Sequence, residues 1–149
     1  MVFDVTVIGA GVVGSMLARE LSRYQLSVCV VEKENDVACG ASRANSGIVH
    51  GGFDPVPGTL KAKMNTLGIP LLYEAAKELN VPCINNGSLV CAFSEDEIHS
   101  LEELIARAAQ NGITGVRLIS GYEARTMEPQ LSEEVVAALY APNAGIVCP

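Results

Sequence analysis

The sequence predicts an α/β fold that begins with a parallel strand–helix–strand unit and continues into part of an α+β region. Residues 2–8 are rich in β-branched side chains and predict a strand, whereas residues 12–24 carry apolar side chains at helical spacing. Residues 26–31 are apolar almost throughout, as in a strand that is covered on both faces. Two such strands joined by a helix form a right-handed crossover unit.

Three glycines occupy the junction between the first strand and the helix, in the spacing G-x-G-x-x-G. Gly9 permits the sharp turn, Gly11 lets the backbone approach a pyrophosphate, and Gly14 lets the helix pack tightly on the strand. Glu32 ends the second strand, where a carboxylate accepts a hydrogen bond from a ribose 2′-OH and repels a 2′-phosphate. This Rossmann-like unit predicts a site for the adenosine half of a dinucleotide. The spacing of the motif does not distinguish NAD from FAD, and the carboxylate of Glu32 disfavours NADP.

The stretch after Glu32 is too long and too polar for an ordinary connection. Residues 33–57 are rich in Gly, Ser, Asn and Pro, and connections of this length usually serve a site or are disordered. Residues 59–80 predict a helix that Gly68 and Pro70 are expected to kink or interrupt. The remaining predicted elements are a strand at 88–93, a helix from Ser94 to Asn111, a strand at 116–119, a helix from Ser120 that ends before Pro129, and a strand at 135–141.

The composition limits the class of protein to which the chain can belong and the kinds of partner that it can bind. The chain has 149 residues, of which 49% are hydrophobic and 18% charged, and this predicts a packed globular protein. A formal net charge of −7 without a Lys/Arg cluster argues against a nucleic-acid partner. The sequence has no apolar run long enough to span a membrane, and its start lacks the basic residues of a signal peptide, so a cytoplasmic location is expected.

The cysteines do not predict a metal site or a disulfide framework. Their number is odd and none forms a C-x-x-C pair. Each is interpreted as a small hydrophobic side chain of the core. The five are Cys29, Cys39, Cys83, Cys91 and Cys148.

The polar stretch also carries a family resemblance. The residues GASRANSGIVHGGFDPVPGTLKAKMN (40–65), together with the glycine motif, resemble the D-amino-acid-oxidase-like superfamily of FAD-dependent oxidoreductases. Within it the chain is most similar to FAD-dependent glycerol-3-phosphate dehydrogenases and to L-2-hydroxyglutarate oxidases or dehydrogenases. The similarity continues through GSLVCAFSEDEI (87–98), NGI (111–113), MEPQLS (127–132) and GIV (145–147).

The resemblance implies which residues bind the cofactor. Residues 40–47 are expected to wrap the FAD pyrophosphate and ribityl chain, where small residues let backbone N–H groups approach phosphate oxygens. The side chains of Ser42, Asn45 and Ser46 are expected to donate hydrogen bonds to the cofactor, and Arg43 is expected to supply a positive charge. The expected cofactor-binding residues are Gly9, Gly11, Gly14, Glu32, Lys33, Ser42, Arg43, Asn45, Ser46 and Gly47.

His50 is the candidate catalytic residue. In the family the corresponding stretch approaches the flavin ring, which implies that His50 polarises the substrate, lies against the ring or carries a covalent flavin link. A histidine that merely packs its loop is the alternative. Gly51 and Gly52 beside it are expected to allow close approach to the planar ring. The implied reaction is the oxidation of a secondary alcohol, in which a protein base removes the hydroxyl proton.

The resemblance also implies that further polypeptide takes part. Family members are more than twice as long, so residues 1–80 are expected to be the N-terminal part of an FAD domain and residues 81–149 the start of a substrate or cap domain. The isolated chain is then expected to bind FAD weakly and to self-associate through its apolar surface. The expected substrate is a small anionic alcohol, sn-glycerol 3-phosphate first and L-2-hydroxyglutarate second. An NAD-binding module and a non-catalytic flavin-fold subunit are the alternatives, and the electron acceptor and a peripheral membrane association stay open.

Overall fold

The computed structural model describes residues 2–148, which form a mixed α/β fold in two compact units, residues 2–46 and residues 47–148. The predicted α/β class is confirmed. The strands are β1 Val5–Ile8, β2 Val28–Val31, β3 Ile48–Val49, β4 Cys83–Ile84, β5 Ser88–Ala92, β6 Arg117–Ser120, β7 Ala137–Ala141 and β8 Gly145–Val147. The helices are α1 Val12–Leu21, α2 Leu60–Glu78, α3 Glu95–Gln110 and α4 Gly121–Met127.

The first unit contains the crossover that the sequence predicts. Strands β1 and β2 lie side by side and parallel, with Val5 opposite Val28, and α1 connects them. Both strands are shorter than predicted at their N-terminal ends. At these ends the residues before β1 and β2 are held together partly by side chains. The Asp4 carboxylate accepts hydrogen bonds from the backbone N–H of Ser27 at 2.8 Å and from its hydroxyl at 2.6 Å.

The first unit leaves much of its apolar surface uncovered. Val7 and Ala10 are buried, but Ile8 is 88% exposed and Val13 is 80% exposed. Every residue of α1 is half-buried or exposed. Parallel strands normally have both faces covered by helices or neighbouring strands. A pair of strands with one helix therefore exposes side chains that a parallel sheet usually buries. The expectation that β2 is covered on both faces is not met within residues 2–148, where Val30 and Val31 are exposed.

The larger sheet of the second unit is antiparallel, in the order β5-β7-β6. On one face Leu101 of α3 packs with the fully buried Leu139 of β7 in the main core. On the other face Ala138 packs with Ile119 and with Ala124 of α4. Because successive residues of a strand point to opposite faces, the apolar run of β7 buries both of its sides.

A smaller sheet of the second unit has the order β3-β8-β4. Ile146 of β8 lies opposite Ile48 on one side and Ile84 on the other. These three strands are not predicted from the sequence. Segments of two or three residues have no measurable periodicity, and their partners lie far away along the chain.

Helix α2 runs without a break from Leu60 to Glu78, so the expected interruption at Gly68 and Pro70 is wrong, and the alternative of a kink there stays a prediction. Pro70 removes one backbone N–H donor, but its ring is on the exposed side of the helix. The ends of the helix are fixed elsewhere. The Thr59 hydroxyl caps the start by accepting a hydrogen bond from Ala62 N–H at 3.2 Å, and Ala62 and Ala76 are buried.

The Ser-x-x-Glu patterns before α3 and α4 predict capping boxes, and the structure forms each of them in part. At α4 the Ser120 hydroxyl accepts a hydrogen bond from Glu123 N–H at 3.2 Å. At α3 the Glu97 carboxylate reaches back to Phe93 N–H at 2.7 Å, while the Ser94 side chain makes no cap bond to any residue that the structure describes. Glutamate therefore caps one helix and serine the other.

The cysteines only partly follow their predicted role. Cys29, Cys83 and Cys91 are half-buried, and burial raises the pKa of the Cys91 thiol. Cys39 and Cys148 are exposed, so the prediction that all five belong to the core is wrong for these two. Cys39 lies in the irregular segment after β2, and Cys148 follows the last strand, so both lie outside the helices and strands that form the cores.

Two expectations from the sequence concern membrane crossing and the boundary between domains. None of the helices among residues 2–148 combines the length and the apolar character that crossing a bilayer requires. The compact units divide at Ser46 and Gly47. The predicted boundary between residues 80 and 81 refers to the cofactor and substrate domains of a complete family member, and it stays a prediction.

Candidate functional site

The glycine turn between β1 and α1 can be formed only without side chains at two of its positions. Gly9 has a φ of +97°, in the region that favours glycine. A Cβ on Gly14 would overlap the carbonyl oxygen of Gly9 and press on the Val7 side chain. Gly11 is the N-cap of α1 and offers no side chain there. The N-terminus of α1 is therefore open to a ligand, with backbone N–H groups and the positive end of the helix dipole.

Glu32 fastens this turn to the end of β2. One carboxylate oxygen accepts a hydrogen bond from Ala10 N–H at 2.7 Å, and the other accepts bonds from Lys33 N–H at 2.8 Å and Glu34 N–H at 3.1 Å. These bonds, that from Ala10 foremost, lower the pKa of Glu32 below its ordinary value. The carboxylate is thus held ionised, and the oxygen that accepts from Ala10 has lone-pair capacity for a further donor such as a ribose hydroxyl.

The polar segment after β2 folds back onto the glycine turn. Ala38 N–H donates to the Ala10 carbonyl at 3.0 Å, and the Ser42 hydroxyl accepts a hydrogen bond from Val12 N–H at 2.8 Å. The Asn45 amide donates to the carbonyls of Ala41 at 3.2 Å and Ser42 at 2.9 Å. Asn45 thus shapes the segment from within.

These parts enclose a cleft of about 560 Å³ inside the first unit. It is lined by Ile8, by Gly9 and Gly11, by residues 32–34 and by residues 38–42. A Cβ on Gly11 would come within 3.1 Å of the Ser42 hydroxyl oxygen, so the missing side chain keeps the cleft open at the helix N-terminus. An open helix N-terminus, a hydroxyl and an ionised carboxylate form a donor and acceptor set that fits a diphosphate joined to a ribose.

The structure brings some of the predicted site residues together and not others. Around the cleft lie Gly9, Gly11, Glu32, Lys33 and Ser42. Gly14 supports the turn from behind, and the Lys33 ammonium lies 3.5 Å from the Glu34 carboxylate. Outside the lining, Arg43, Asn45 and Ser46 are exposed, whereas Gly47 and His50 belong to the second unit, where Gly47 is buried and His50 exposed.

Several contributors to the cleft are missing from the sequence-based prediction. Ala10 supplies the backbone N–H that Glu32 binds, and Ala38 to Ala41 form part of the wall. Their contribution comes from the main chain, which every residue type possesses, so side-chain identity carries no signal for it. The one signal in the sequence is the run of small residues at 38–41, which is typical of a segment whose backbone closely approaches a ligand.

Gly51 and Gly52 serve packing inside the second unit. Both are buried, and a Cβ on Gly52 would lie 2.7 Å from the Ile113 side chain. A Cβ on Gly51 would lie 3.0 Å from the Cβ of Ala141 and 3.2 Å from the Phe53 ring. The structure therefore explains this pair by contacts with protein, and the expected approach to a planar ring stays a prediction.

Known proteins resemble this chain over nearly its whole length. A glycerol 3-phosphate dehydrogenase from Caloramator mitchellensis is 46% identical over 147 residues, which cover 99% of this chain and 31% of that protein. A mitochondrial L-2-hydroxyglutarate dehydrogenase from Arabidopsis thaliana is 40% identical over 144 residues, covering 97% of this chain and 29% of that protein. The chain thus spans less than a third of the length of these two relatives.

Solved structures also match nearly the whole of this chain with only part of their own length. The dithionite-reduced L-alpha-glycerophosphate oxidase from Mycoplasma pneumoniae with FAD bound superposes with a TM-score of 0.89 at 36% identity, over 97% of this chain and 38% of that chain. The model of the DAO family, described as FAD dependent oxidoreductase, matches residues 4–149. Because this match includes the glycine turn, Glu32 and almost everything after them, the chain belongs to the FAD dependent oxidoreductase family.

Proposed function

We propose that this chain supplies the N-terminal, FAD-binding part of a flavoenzyme that oxidises a small anionic alcohol, with sn-glycerol 3-phosphate as the first candidate substrate. The observation that carries the proposal is the cleft of the first unit, where an open helix N-terminus faces the ionised Glu32 in a chain of this family. Family membership also favours FAD over NAD as the dinucleotide.

Each group of the cleft has a distinct part in holding the adenosine half of FAD. The N-terminus of α1 and the bare backbone at Gly11 receive the diphosphate. The Ser42 hydroxyl accepts a hydrogen bond from Val12 N–H and keeps its own proton for a phosphate oxygen. Glu32 accepts a hydrogen bond from the ribose, on the lone pairs that the backbone N–H groups leave free.

Bound FAD supplies the electron acceptor, and the protein orients the substrate and moves its proton. His50 is our candidate for the second task, because its side chain is exposed and an imidazole nitrogen can accept a hydroxyl proton. Arg43, Asn45, Ser46 and Gly47 remain proposed cofactor contacts.

We expect His50→Asn to retain FAD and to lower the rate of substrate oxidation by roughly 10²- to 10⁴-fold, the usual contribution of a general base. The rate is measured as anaerobic bleaching of the flavin absorbance in stopped flow. His99→Asn is the matched control, since His99 is exposed on α3 beside Glu102 and Glu103. Equal bleaching rates in both variants would remove His50 from the mechanism. Flavin fluorescence that stays with denatured wild-type protein but not with His50→Asn would identify a covalent link.

The proposed substrate is tested by the visible spectrum of the protein expressed from its natural gene. We expect a yellow protein whose flavin is bleached by sn-glycerol 3-phosphate at concentrations at least about tenfold lower than by L-2-hydroxyglutarate. The relatives support this order, since the glycerol 3-phosphate dehydrogenase is 46% identical and the L-2-hydroxyglutarate dehydrogenase 40%. The reverse preference would reassign the substrate, and a colourless protein that ignores added FAD would refute the proposal as a whole.

The proposed activity needs further polypeptide, either from a longer natural chain or through self-association. The support is the apolar surface of the first unit, including Ile8 at 88% and Val13 at 80% exposure, together with the greater length of the relatives. The cytoplasmic location and the exclusion of nucleic acid stay predictions, and the acceptor that reoxidises the flavin stays open.

A further inference from the structure

The segment that follows His50 is held in place by the C-terminal end of α3, some sixty residues away along the chain. The side-chain amide of Asn111 donates one hydrogen bond to the Gly52 carbonyl at 3.1 Å and a second to the Pro55 carbonyl at 2.9 Å. A primary amide has two N–H donors, so both are used on this segment.

Two neighbours of Asn111 hold the same segment. The Arg107 guanidinium, one helical turn earlier, donates to the Asp54 carbonyl at 3.0 Å. Ile113 packs where Gly52 lacks a side chain, since a Cβ there would lie 2.7 Å from the isoleucine. Three side chains at and just after the end of α3 thus contact residues 52–55, which we name the post-histidine segment.

The end of α3 is built to present Asn111 in this position. Asn111 is the C-cap, and its own N–H donates to the Arg107 carbonyl at 3.0 Å. Gly112 follows with a φ of +77°, which turns the chain away from the helix, and Ile113 N–H bonds back to the Ala108 carbonyl at 2.9 Å. The Asn-Gly-Ile sequence therefore ends the helix and holds the post-histidine segment at the same time.

His50 lies between two fixed pieces of backbone. On its N-terminal side Val49 of β3 pairs with Gly145 of β8. On its C-terminal side begins the post-histidine segment, with Gly51, Gly52 and Pro55 buried. The His50 side chain is exposed while the chain on both sides of it is anchored.

We propose that Asn111 is a positioning residue for His50, acting through its two hydrogen bonds to the post-histidine segment. The proposal rests on the function proposed for His50 above. A displacement of about 1 Å in a reacting group can lower a rate by roughly 100-fold. Loss of the two hydrogen bonds that fix the segment should therefore lower the reaction rate much more than the affinity for FAD. Asn111 therefore controls turnover and the surroundings of the flavin ring, whereas the cleft of the first unit controls affinity for the cofactor.

The test compares Asn111→Asp with Gln110→Glu in the protein expressed from its natural gene. Both changes turn an amide into a carboxylate on adjacent residues, but Gln110 is exposed, whereas Asp at 111 loses both N–H donors and points a negative charge at two carbonyls. Asn111→Ala, which removes the donors without adding charge, is the second variant. The readouts are hydrogen exchange of residues 51–57, FAD stoichiometry, the visible flavin spectrum and the pH profile of kcat.

In both Asn111 variants we expect exchange at the N–H groups within residues 51–57 to accelerate at least about tenfold, because the segment opens to water more often once its two carbonyls lose their donors. We expect kcat to fall about tenfold or more, with a changed flavin spectrum and pH profile, full FAD stoichiometry and unchanged exchange in residues 9–15. Gln110→Glu should match the wild type in every readout.

Each contrary result has its own meaning. Unchanged exchange in residues 51–57 would show that Asn111 does not hold the segment, and the proposal would be overturned. Faster exchange with an unaltered kcat, spectrum and pH profile would overturn the link to His50. A wild-type protein that takes up no flavin would refute the proposed function and with it the positioning role, and the exchange data would still decide whether Asn111 fixes the segment.

Discussion

Replacing Gly14 by alanine is expected to abolish detectable FAD binding and to destabilise the first unit by at least about 3 kcal/mol. The added Cβ would overlap the Gly9 carbonyl oxygen, which is backbone and has no alternative rotamer. Helix α1 must then move away from β1, and the N–H groups at its start no longer point at the place where the diphosphate binds. The loss therefore has one cause for both stability and binding.

The measurement pairs hydrogen exchange of residues 5–21 with FAD titration of the protein expressed from its natural gene. Gly68→Ala is the matched control, because Gly68 is also helical and, apart from its chain neighbours and the backbone of its own helix, no atom of the described residues lies within 4 Å of its Cβ position. That variant should be more stable than the wild type by about 0.5–1 kcal/mol, since alanine replaces glycine in a helix interior without a clash. An FAD affinity of Gly14→Ala within threefold of the wild type would contradict the tight-packing account of this glycine.

The contrast between these two glycines illustrates what the sequence can and cannot predict. Gly14 stands in a spaced motif between a strand and a helix, so its role follows from local pattern and known chain geometry. Gly68 and Pro70 carry an equally strong local signal for a helix break, yet α2 continues through both. What keeps it intact is the Thr59 cap and the burial of Ala62 and Ala76, and burial is decided by elements distant in sequence.

The same division applies to the candidate site. The roles of Gly9, Gly11 and Glu32 depend on a single crossover unit, whose two strands pair in the predicted parallel arrangement. Asn111 reaches back to Gly52 and Pro55 across more than fifty residues, a contact that no short window of the sequence contains. Prediction from local pattern therefore gives the chain geometry of the crossover unit, which spans about thirty residues, and misses contacts between segments that are distant in sequence.

Glu32→Gln is expected to weaken FAD binding roughly ten- to a hundredfold, the usual effect of losing charge-assisted hydrogen bonds. In the wild type the two carboxylate oxygens accept three backbone N–H groups. Glutamine replaces one oxygen by an NH₂ donor, which must face N–H groups that are donors themselves. The turn at Ala10 or the start of the following segment then loses its acceptor, and the ribose loses an anionic one.

The wild-type protein should also lose this contribution in acid. The folded-state pKa of Glu32 lies below its ordinary value of 4.5, chiefly because of the hydrogen bond from Ala10. A carboxyl group with a lowered pKa stabilises the folded state fully above its unfolded pKa, and this contribution disappears as the pH falls through the folded pKa. Protection of the Ala10 amide against hydrogen exchange should therefore decline below about pH 4.5 in the wild type.

Glu34→Gln separates this effect from a general change in charge. Glu34 also lines the cleft, and its carboxylate lies 3.5 Å from the Lys33 ammonium on the exposed side. We expect Glu34→Gln to keep the wild-type FAD affinity and the acid-induced loss of Ala10 protection, whereas Glu32→Gln loses the affinity and shows a protection of Ala10 that does not change in acid. If both variants behave alike, the cleft recognises net negative charge and not the carboxylate that holds the glycine turn. An acid-induced loss of Ala10 protection that persists in Glu32→Gln would mean that a different group titrates, and the role of Glu32 would be limited to the ribose.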